Sequence, residues 1–249
     1  MCIRDRHYAQ SLSNLANLYT SMGQYEKAEP LYFESKTILE KTVKKDHPHY
    51  ASSLSNLANL YTSMGQFEKA EQLYLESKYI YEKALGRESF TYATNLVNLA
   101  TLYLDIGNYE NSERLFIEAQ KIFEENLNNE YHLYSLICLN NLAHLYFKID
   151  QYSKSEQIYF EVLSRYENTL GKAHPAYANS LDKLALLYCD MNQYEKAENL
   201  FLESQSINAK VLGTEHTSYV QNLNHLSELY ERQKKFPESE ALQVEYRCV

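Results

Sequence analysis

Cys138, Asn141 and His144 lie within one short stretch and are the residue types of a thiol nucleophile, an orienting amide and a general base. Such a set works only if thiol and imidazole come within hydrogen-bond reach. On a helix each residue turns about 100°, so six steps leave Cys138 and His144 about 120° apart. Catalysis by this trio is not expected. His47-Pro48-His49 offers two imidazoles, but no cysteine or carboxylate cluster joins them. It reads as a connector, with Asp46 capping the helix that follows. Cys2, Cys138, Cys189 and Cys248 form no CxxC pair and read as free thiols in a reducing, cytoplasmic compartment. No glycine-rich phosphate loop occurs. The expectation is a chain that is not an enzyme and needs no metal and no cofactor. Residues 1–6 carry no hydrophobic stretch, so no signal peptide is visible; they fit none of the repeats below and read as foreign sequence.

The elements that would carry other chemistry are narrowed by composition. Six glycines and four prolines in 249 residues leave few turns, which argues against a β-sandwich or a Rossmann-type fold. No apolar run approaches the roughly 20 residues of a membrane span. A net charge of −9 disfavours duplex nucleic acid or an anionic membrane as partner.

Internal repetition settles the organisation. SLSNLANLYTSMGQYEKAE at 11–29 returns as SLSNLANLYTSMGQFEKAE at 53–71, differing at one position. Four more copies begin at residues 95, 138, 180 and 222, at offsets of 42 or 43 residues. Each unit reads as two helices. Leu12, Leu15, Ala16 and Tyr19 recur at helical spacing as the packed face of the first. Gly23, Gly65 and Gly107 end it in the left-handed conformation, and Asp150, Asn192 and Lys234 stand in their place later. The second helix carries a small residue at Ala28, Ala70, Ser112, Ser155, Ala197 and Ser239, which lets the pair approach closely. Of 24 tyrosines, 18 fall at four recurring positions, as expected for core packing.

The pattern L-x-N-L-A-x-L-Y-x-x-x-G-x-[YF]-x-x-A-E-x-L-[YF] resembles the tetratricopeptide repeat. The 42-residue period and the connectors His47-Pro48-x-Tyr50-Ala51 and His174-Pro175-x-Tyr177-Ala178 resemble the kinesin light chain type. The resemblance implies an all-α fold, a right-handed α-solenoid of six helix-turn-helix repeats in one array over 1–249. The repeats are approximately 7–47, 48–89, 90–131, 132–174, 175–216 and 217–249. It also implies that the first helices line a concave groove, and it implies a protein-protein interaction scaffold binding a peptide segment there.

With the packed face turned inward, the helical wheel puts Ser13 and Asn17, Ser55 and Asn59, Val97, Thr101 and Leu104, Asn140, His144 and Phe147, then Asp182 and Leu186 on the groove. This face varies most between repeats. A polar floor with an apolar middle suits an extended peptide; drift on a solvated face is the other reading. At the groove edge Asn14, Asn56, Asn98 and Asn141 are followed by Lys183 and His225. These amides suit a peptide backbone or a tie between repeats. Lys148, Lys183 and Arg232 are the obvious groove-side cations. The alternative function is a structural spacer or oligomerisation module, a fragment of a larger multidomain protein. The shorter last helix, Phe236 to Val249, suggests an end-to-end homodimer.

Overall fold

The computed structural model describes residues 3–126 and 129–248, and the side chains of residues 4–126 and 132–243. All regular structure among them is helical: α1 (Ile3–Ser21), α2 (Tyr25–Val43), α3 (Pro48–Ser63), α4 (Phe67–Leu85), α5 (Phe90–Asp105), α6 (Tyr109–Glu125), α7 (Asn129–Lys148), α8 (Tyr152–Thr169), α9 (Pro175–Asp190), α10 (Tyr194–Val211), α11 (Thr217–Arg232) and α12 (Phe236–Cys248). Odd-numbered helices are the first of each repeat and even-numbered helices the second. The chain divides into two compact units, residues 1–138 and 139–249, with the division inside α7. In each unit successive helices pack on one another, α1 through α6 in the first and α8 through α12 in the second.

Within a repeat the two helices meet at the small position. Ala28, Ala70, Ser112, Ser155 and Ala197 have no exposed surface. Where that residue is Ser, its hydroxyl bonds to the facing helix: Ser112 Oγ donates to Ala100 O and Ser155 Oγ to Ala143 O, each at 2.8 Å. A buried hydroxyl is thereby satisfied without widening the contact.

Between repeats the second helix of one covers the first helix of the next. Tyr50, Tyr92, Leu57, Leu60, Leu99 and Leu102 are buried this way in the N-terminal unit. A recurring bond fastens the joint. Tyr61 donates to Glu29 Oε1 at 2.9 Å and Tyr103 to Glu71 Oε1 at 2.7 Å; in the C-terminal unit Tyr188 donates to Glu156 Oε1 at 2.7 Å and Tyr230 to Glu198 Oε1 at 3.0 Å. Burial, followed by the carboxylate beside it, pushes the Tyr61, Tyr103 and Tyr230 hydroxyls up to about 12. A lysine lies over the ring of the same tyrosine: Lys69 Nζ is 5.1 Å from Tyr61 and Lys196 Nζ 4.9 Å from Tyr188.

The turn expectations hold. Gly23, Gly65 and Gly107 have φ of 68°, 69° and 78°, and Asp150, Asn192 and Lys234 take φ of 58°, 58° and 60°. Three expectations are corrected. The cap before α3 is His47, whose Nδ1 accepts from the His49 amide at 3.1 Å, and not Asp46; His174 and His216 cap α9 and α11 in the same way. Leu15 is exposed, because no second helix among the described residues packs on that face of α1, whereas its equivalents Leu57 and Leu99 are buried. Tyr8 is exposed for the same reason. Cys138 and Cys189 are free, as expected, and both are buried; Cys2 and the side chain of Cys248 lie outside the described residues.

Lys44 ends α2 at φ 69°, ψ 161°, the backbone that Gly86 adopts after α4 at φ 85°, ψ 162°. Only glycine visits that region without steric cost, and a side chain there costs about 1–3 kcal/mol. Lys44→Gly should therefore raise the stability of the N-terminal unit by about 1 kcal/mol, read as a higher denaturant midpoint at unchanged slope. An unchanged or lowered midpoint would show that the turn carries no strain.

Candidate functional site

A first helix inside the stack has two neighbours, its own second helix and the second helix of the preceding repeat. Together they cover most of its circumference. In α1, positions 9, 12, 13 and 16 are buried against α2. In α3 and α5 the equivalents of Tyr8, Leu15 and Leu18 are buried as well. The open stripe that remains runs through residues 10, 14, 17 and 21 of the first repeat and their equivalents, at steps of four, three and four.

This placement divides the expected groove residues. Ser13, Ser55, Val97, Leu104 and Asn140 are buried, so they are corrected from the open groove to the packed side of the first helices. Ser13 Oγ pairs with Ser35 Oγ at 2.8 Å, and Ser55 Oγ accepts from Asn95 Nδ2 at 3.1 Å. The wheel centred on Leu12, Leu15, Ala16 and Tyr19 misplaces them, because the face turned to a first helix's own second helix is that of positions 9, 12, 13 and 16, as in α1. Asn17 and Asn59 are exposed, and Thr101, His144, Phe147, Asp182 and Leu186 are half-buried. Of the edge series Asn14 is exposed, and Asn56, Asn98, Asn141 and Lys183 are half-buried on the same stripe.

Asn17 and Asn59 have a partner that sequence reasoning missed. The Tyr32 hydroxyl donates to Asn17 Oδ1, and the Tyr74 hydroxyl to Asn59 Oδ1. The signal lay in the repeats themselves. Where the second helix has Tyr32 or Tyr74, the first has Asn17 or Asn59; where it has Phe116 or Phe201, the first has Thr101 or Leu186. His144 stands opposite Tyr159, whose hydroxyl is buried without a hydrogen-bond partner. Each amide oxygen is committed inward, and the amide nitrogen of the same side chain remains at the exposed stripe.

The stripe is amide- and hydroxyl-rich in the N-terminal unit. Gln10 Nε2 donates to Asn14 Oδ1 at 3.0 Å. A cleft of about 280 Å³ opens between α1 and α3, lined by Arg6, His7, Gln10, His49, Ser52 and Asn56 among others. In the C-terminal unit the stripe is charged. Lys183 Nζ donates to Asn141 Oδ1 across repeats at a long 3.4 Å, and Arg232 Nη1 lies 2.9 Å from Asp190 Oδ1. Asp182, next to Lys183, is engaged elsewhere: His225 Nδ1 lies 2.8 Å from its Oδ2, and Asn222 Nδ2 donates to its Oδ1. Burial lowers Lys183 to about 8 despite Asp182, and burial with Lys183 and Lys148 lowers His144 to about 4. Burial would lower His225 too, but Asp182 raises it above its ordinary value. Lys148 Nζ lies 5.6 Å from the Phe147 ring, and the His144 and Phe147 rings are 5.7 Å apart.

The Cys138 thiol is no nucleophile: it is buried, donates to Phe116 O at 3.3 Å, and burial raises its pKa. Among the described residues no three His, Cys, Asp or Glu side chains gather as a metal site, and no helix is long and apolar enough to cross a membrane.

Two outcomes are expected. Asn59→Ala should cost about 1–2 kcal/mol by leaving the Tyr74 hydroxyl unpaired, and Asn59→Ala with Tyr74→Phe should cost less than the single change, as a double-mutant cycle would measure. Additive costs would mean the bond is not made. Lys183 has a folded pKa below its unfolded value, so between about pH 8 and 10.5 the unfolded chain binds more protons and stability gains with rising pH. Across that window wild type should gain on Lys183→Met in denaturant titrations; a constant difference would rule out the lowered pKa.

Known proteins give the following comparison. The family model described as tetratricopeptide repeat matches residues 7–86, 91–168, 139–210 and 178–246. No curated protein matches the chain. Among solved structures, the putative kinesin light chain of Podosopora anserina with nearly identical TPR-like repeats is 26% identical, covers 84% of this chain and 98% of its own, and superimposes with a TM-score of 0.67. A point variant of that protein is 25% identical over 85% of this chain and 99% of its own, with a TM-score of 0.69. NprR in complex with its cognate peptide NprX shares the fold at 14% identity and a TM-score of 0.68, over 96% of this chain and 66% of its own.

Proposed function

We propose that this chain, which belongs to the tetratricopeptide repeat family, binds an extended peptide segment of a partner protein along the open stripe of its first helices. The observation that carries the reading is the pair Asn17 and Asn59. Each is held by a tyrosine hydroxyl through its oxygen, so its exposed amide nitrogen is already oriented as a donor. A peptide backbone supplies carbonyls at regular intervals, and donors fixed in advance bind them at little cost in side-chain entropy. Asn14, Asn56 and Asn98 add amides on the same stripe of the N-terminal unit.

The C-terminal unit asks for a different residue type. Lys183 is half-buried with one long hydrogen bond and with its neighbouring carboxylate taken by His225 and Asn222. An acidic side chain of a segment bound to this unit supplies the acceptors that this ammonium lacks. Leu186 offers apolar contact on the same stripe, and the half-buried Phe147 lies at its margin beside Lys148. In NprR the same fold is found with a cognate peptide. The setting we assign is cytoplasmic, where the buried thiols of Cys138 and Cys189 stay reduced. The alternative is a structural spacer or oligomerisation module within a larger multidomain protein.

The test is selection of a displayed random-peptide library on the intact chain. Selected peptides should lose at least about tenfold in affinity for Asn59→Asp, which keeps the acceptor for Tyr74 and removes the donor. Acidic peptides should lose affinity for Lys183→Met. Enrichment of no sequence, or of peptides that bind all variants equally, would overturn the groove.

A further inference from the structure

Between consecutive first helices, an asparagine in two of the joints fills a space that a serine leaves open in another. Asn95 of α5 sends its Nδ2 to Ser55 Oγ at 3.1 Å and to Ser77 Oγ at 2.7 Å. In the C-terminal unit Asn222 of α11 donates to Asp182 Oδ1 and, at 3.1 Å, to Ser204 Oγ. The joint of α1 with α3 has the matching acceptors, Ser13 and Ser35, but Ser53 stands at the position of Asn95 and Asn222. Ser53 is too short to span the joint, and its hydroxyl turns back to Tyr50 O at 2.7 Å. Leu39 likewise stands where the next repeat has the larger Tyr81. Ser13, Leu39 and Ser53 line the resulting cleft of about 280 Å³. The equivalent cleft between α9 and α11, where Asn222 is in place, holds about 20 Å³. Both clefts are walled by two consecutive first helices, so the difference lies in the residues of the joint.

The hydrogen bonds around the cleft define what fits it. Ser35 Oγ gives its proton to Ala9 O at 2.8 Å, so Ser13 is the donor in the 2.8 Å contact between the two hydroxyls. Among the described residues no donor then reaches Ser13 Oγ, although Ser13 is only 4% exposed. Its counterpart Ser55 both donates, to Ala51 O, and accepts, from Asn95. Asn56, half-buried on the cleft wall, makes no hydrogen bond among the described residues. Arg6 also lines the cleft but is not a free cation. A carboxamide brings a donor for Ser13 and an acceptor for the Asn56 Nδ2 on one head group. A carboxylate has no donor, an ammonium has no acceptor and a hydrocarbon has neither.

We propose that the cleft between α1 and α3 is a subsite for one carboxamide side chain, glutamine or asparagine. The nitrogen of the incoming amide meets Ser13 Oγ as that of Asn95 meets Ser55, and its oxygen accepts from Asn56 Nδ2. The source of that side chain, a residue of the segment bound along the stripe, rests on the peptide reading above. The preference of the cleft itself does not, and a single capped amino acid tests it.

The probe is N-acetyl-glutamine N-methylamide, titrated to about 50 mM into the isotope-labelled 249-residue chain and followed by NMR. The backbone amides of Ser13 and Ser53 and the side-chain amide of Asn56 should shift and saturate. The capped glutamate, leucine and tyrosine counterparts should bind at least about fivefold more weakly. Ser53→Asn, which copies the residue of the filled joints, should abolish the shifts while the helical circular dichroism is kept and the unfolding midpoint does not fall. Asn56→Ala should weaken binding about 3- to 10-fold. No saturating shift at Ser13 and Ser53 overturns the proposal. So does equal or tighter binding of the glutamate, leucine or tyrosine probe, and so does a Ser53→Asn chain that responds as wild type. Binding of the glutamine probe by a chain that enriches no displayed peptide would support the subsite and count against the peptide stripe alone.

Discussion

A helix pair of this sequence cannot bury its own apolar surface. The first helix carries more apolar positions than its partner can cover, and the remainder must go under a second helix from the repeat before it. The near-identity of the packing positions follows, because each first helix has to match two surfaces at once. Leu57 is nearly fully buried and Leu15 is exposed, although the surrounding residues are the same. The difference is the neighbour, so the burial of these leucines is a property of the joint.

The polar residues of the joints follow the same constraint. A hydroxyl or amide taken into a packed interface has to find a partner or cost about 1–3 kcal/mol. Tyr61 finds Glu29, Ser112 finds the Ala100 carbonyl, and Tyr74 finds Asn59. The replacements run in pairs. When Tyr becomes Phe at position 116, Asn gives way to Thr101; when it becomes Phe201, Asn gives way to Leu186. Much of the variation along the first helices is therefore set from behind, by the second helix. Tyr159 opposite His144 is the mismatch, and its buried hydroxyl is left without a partner.

The period, the helix pairs, the turn residues and the family were legible because they depend on residue type at fixed spacing. Gly23 and Pro48 declare a turn and a helix start in any context. The groove was less legible. A helical wheel ranks residues by direction, but which directions are covered depends on how many helices surround it. Centring the packed face on Leu12, Leu15, Ala16 and Tyr19 puts Ser13, Ser55, Val97 and Asn140 on the open side; the second helix of the same repeat in fact covers positions 9, 12, 13 and 16, which leaves the stripe to Asn14, Asn17 and their equivalents. The Asn17–Tyr32 bond was readable in principle from covariation among the repeats. Lys44 was not, since nothing in its own segment announces glycine backbone, and only alignment with Gly86 exposes it.

The same fold presents two chemistries on one kind of surface. In the N-terminal unit the stripe is built of neutral amides and hydroxyls, and at Asn17 and Asn59 the geometry is fixed by bonds from behind. In the C-terminal unit it is built of Lys183, Arg232, Asp190 and His225, where one carboxylate, Asp182, is drawn toward His225 and away from Lys183. Neutral donors reward a backbone and are indifferent to sequence; a half-buried ammonium rewards one side-chain type and penalises an apolar one. The first kind of surface is suited to adhesion and the second to discrimination. That division follows from a physical asymmetry: an amide can sit on a packed helix at little cost, whereas a half-buried, under-coordinated lysine carries a desolvation penalty, seen in the lowering of Lys183 to about 8.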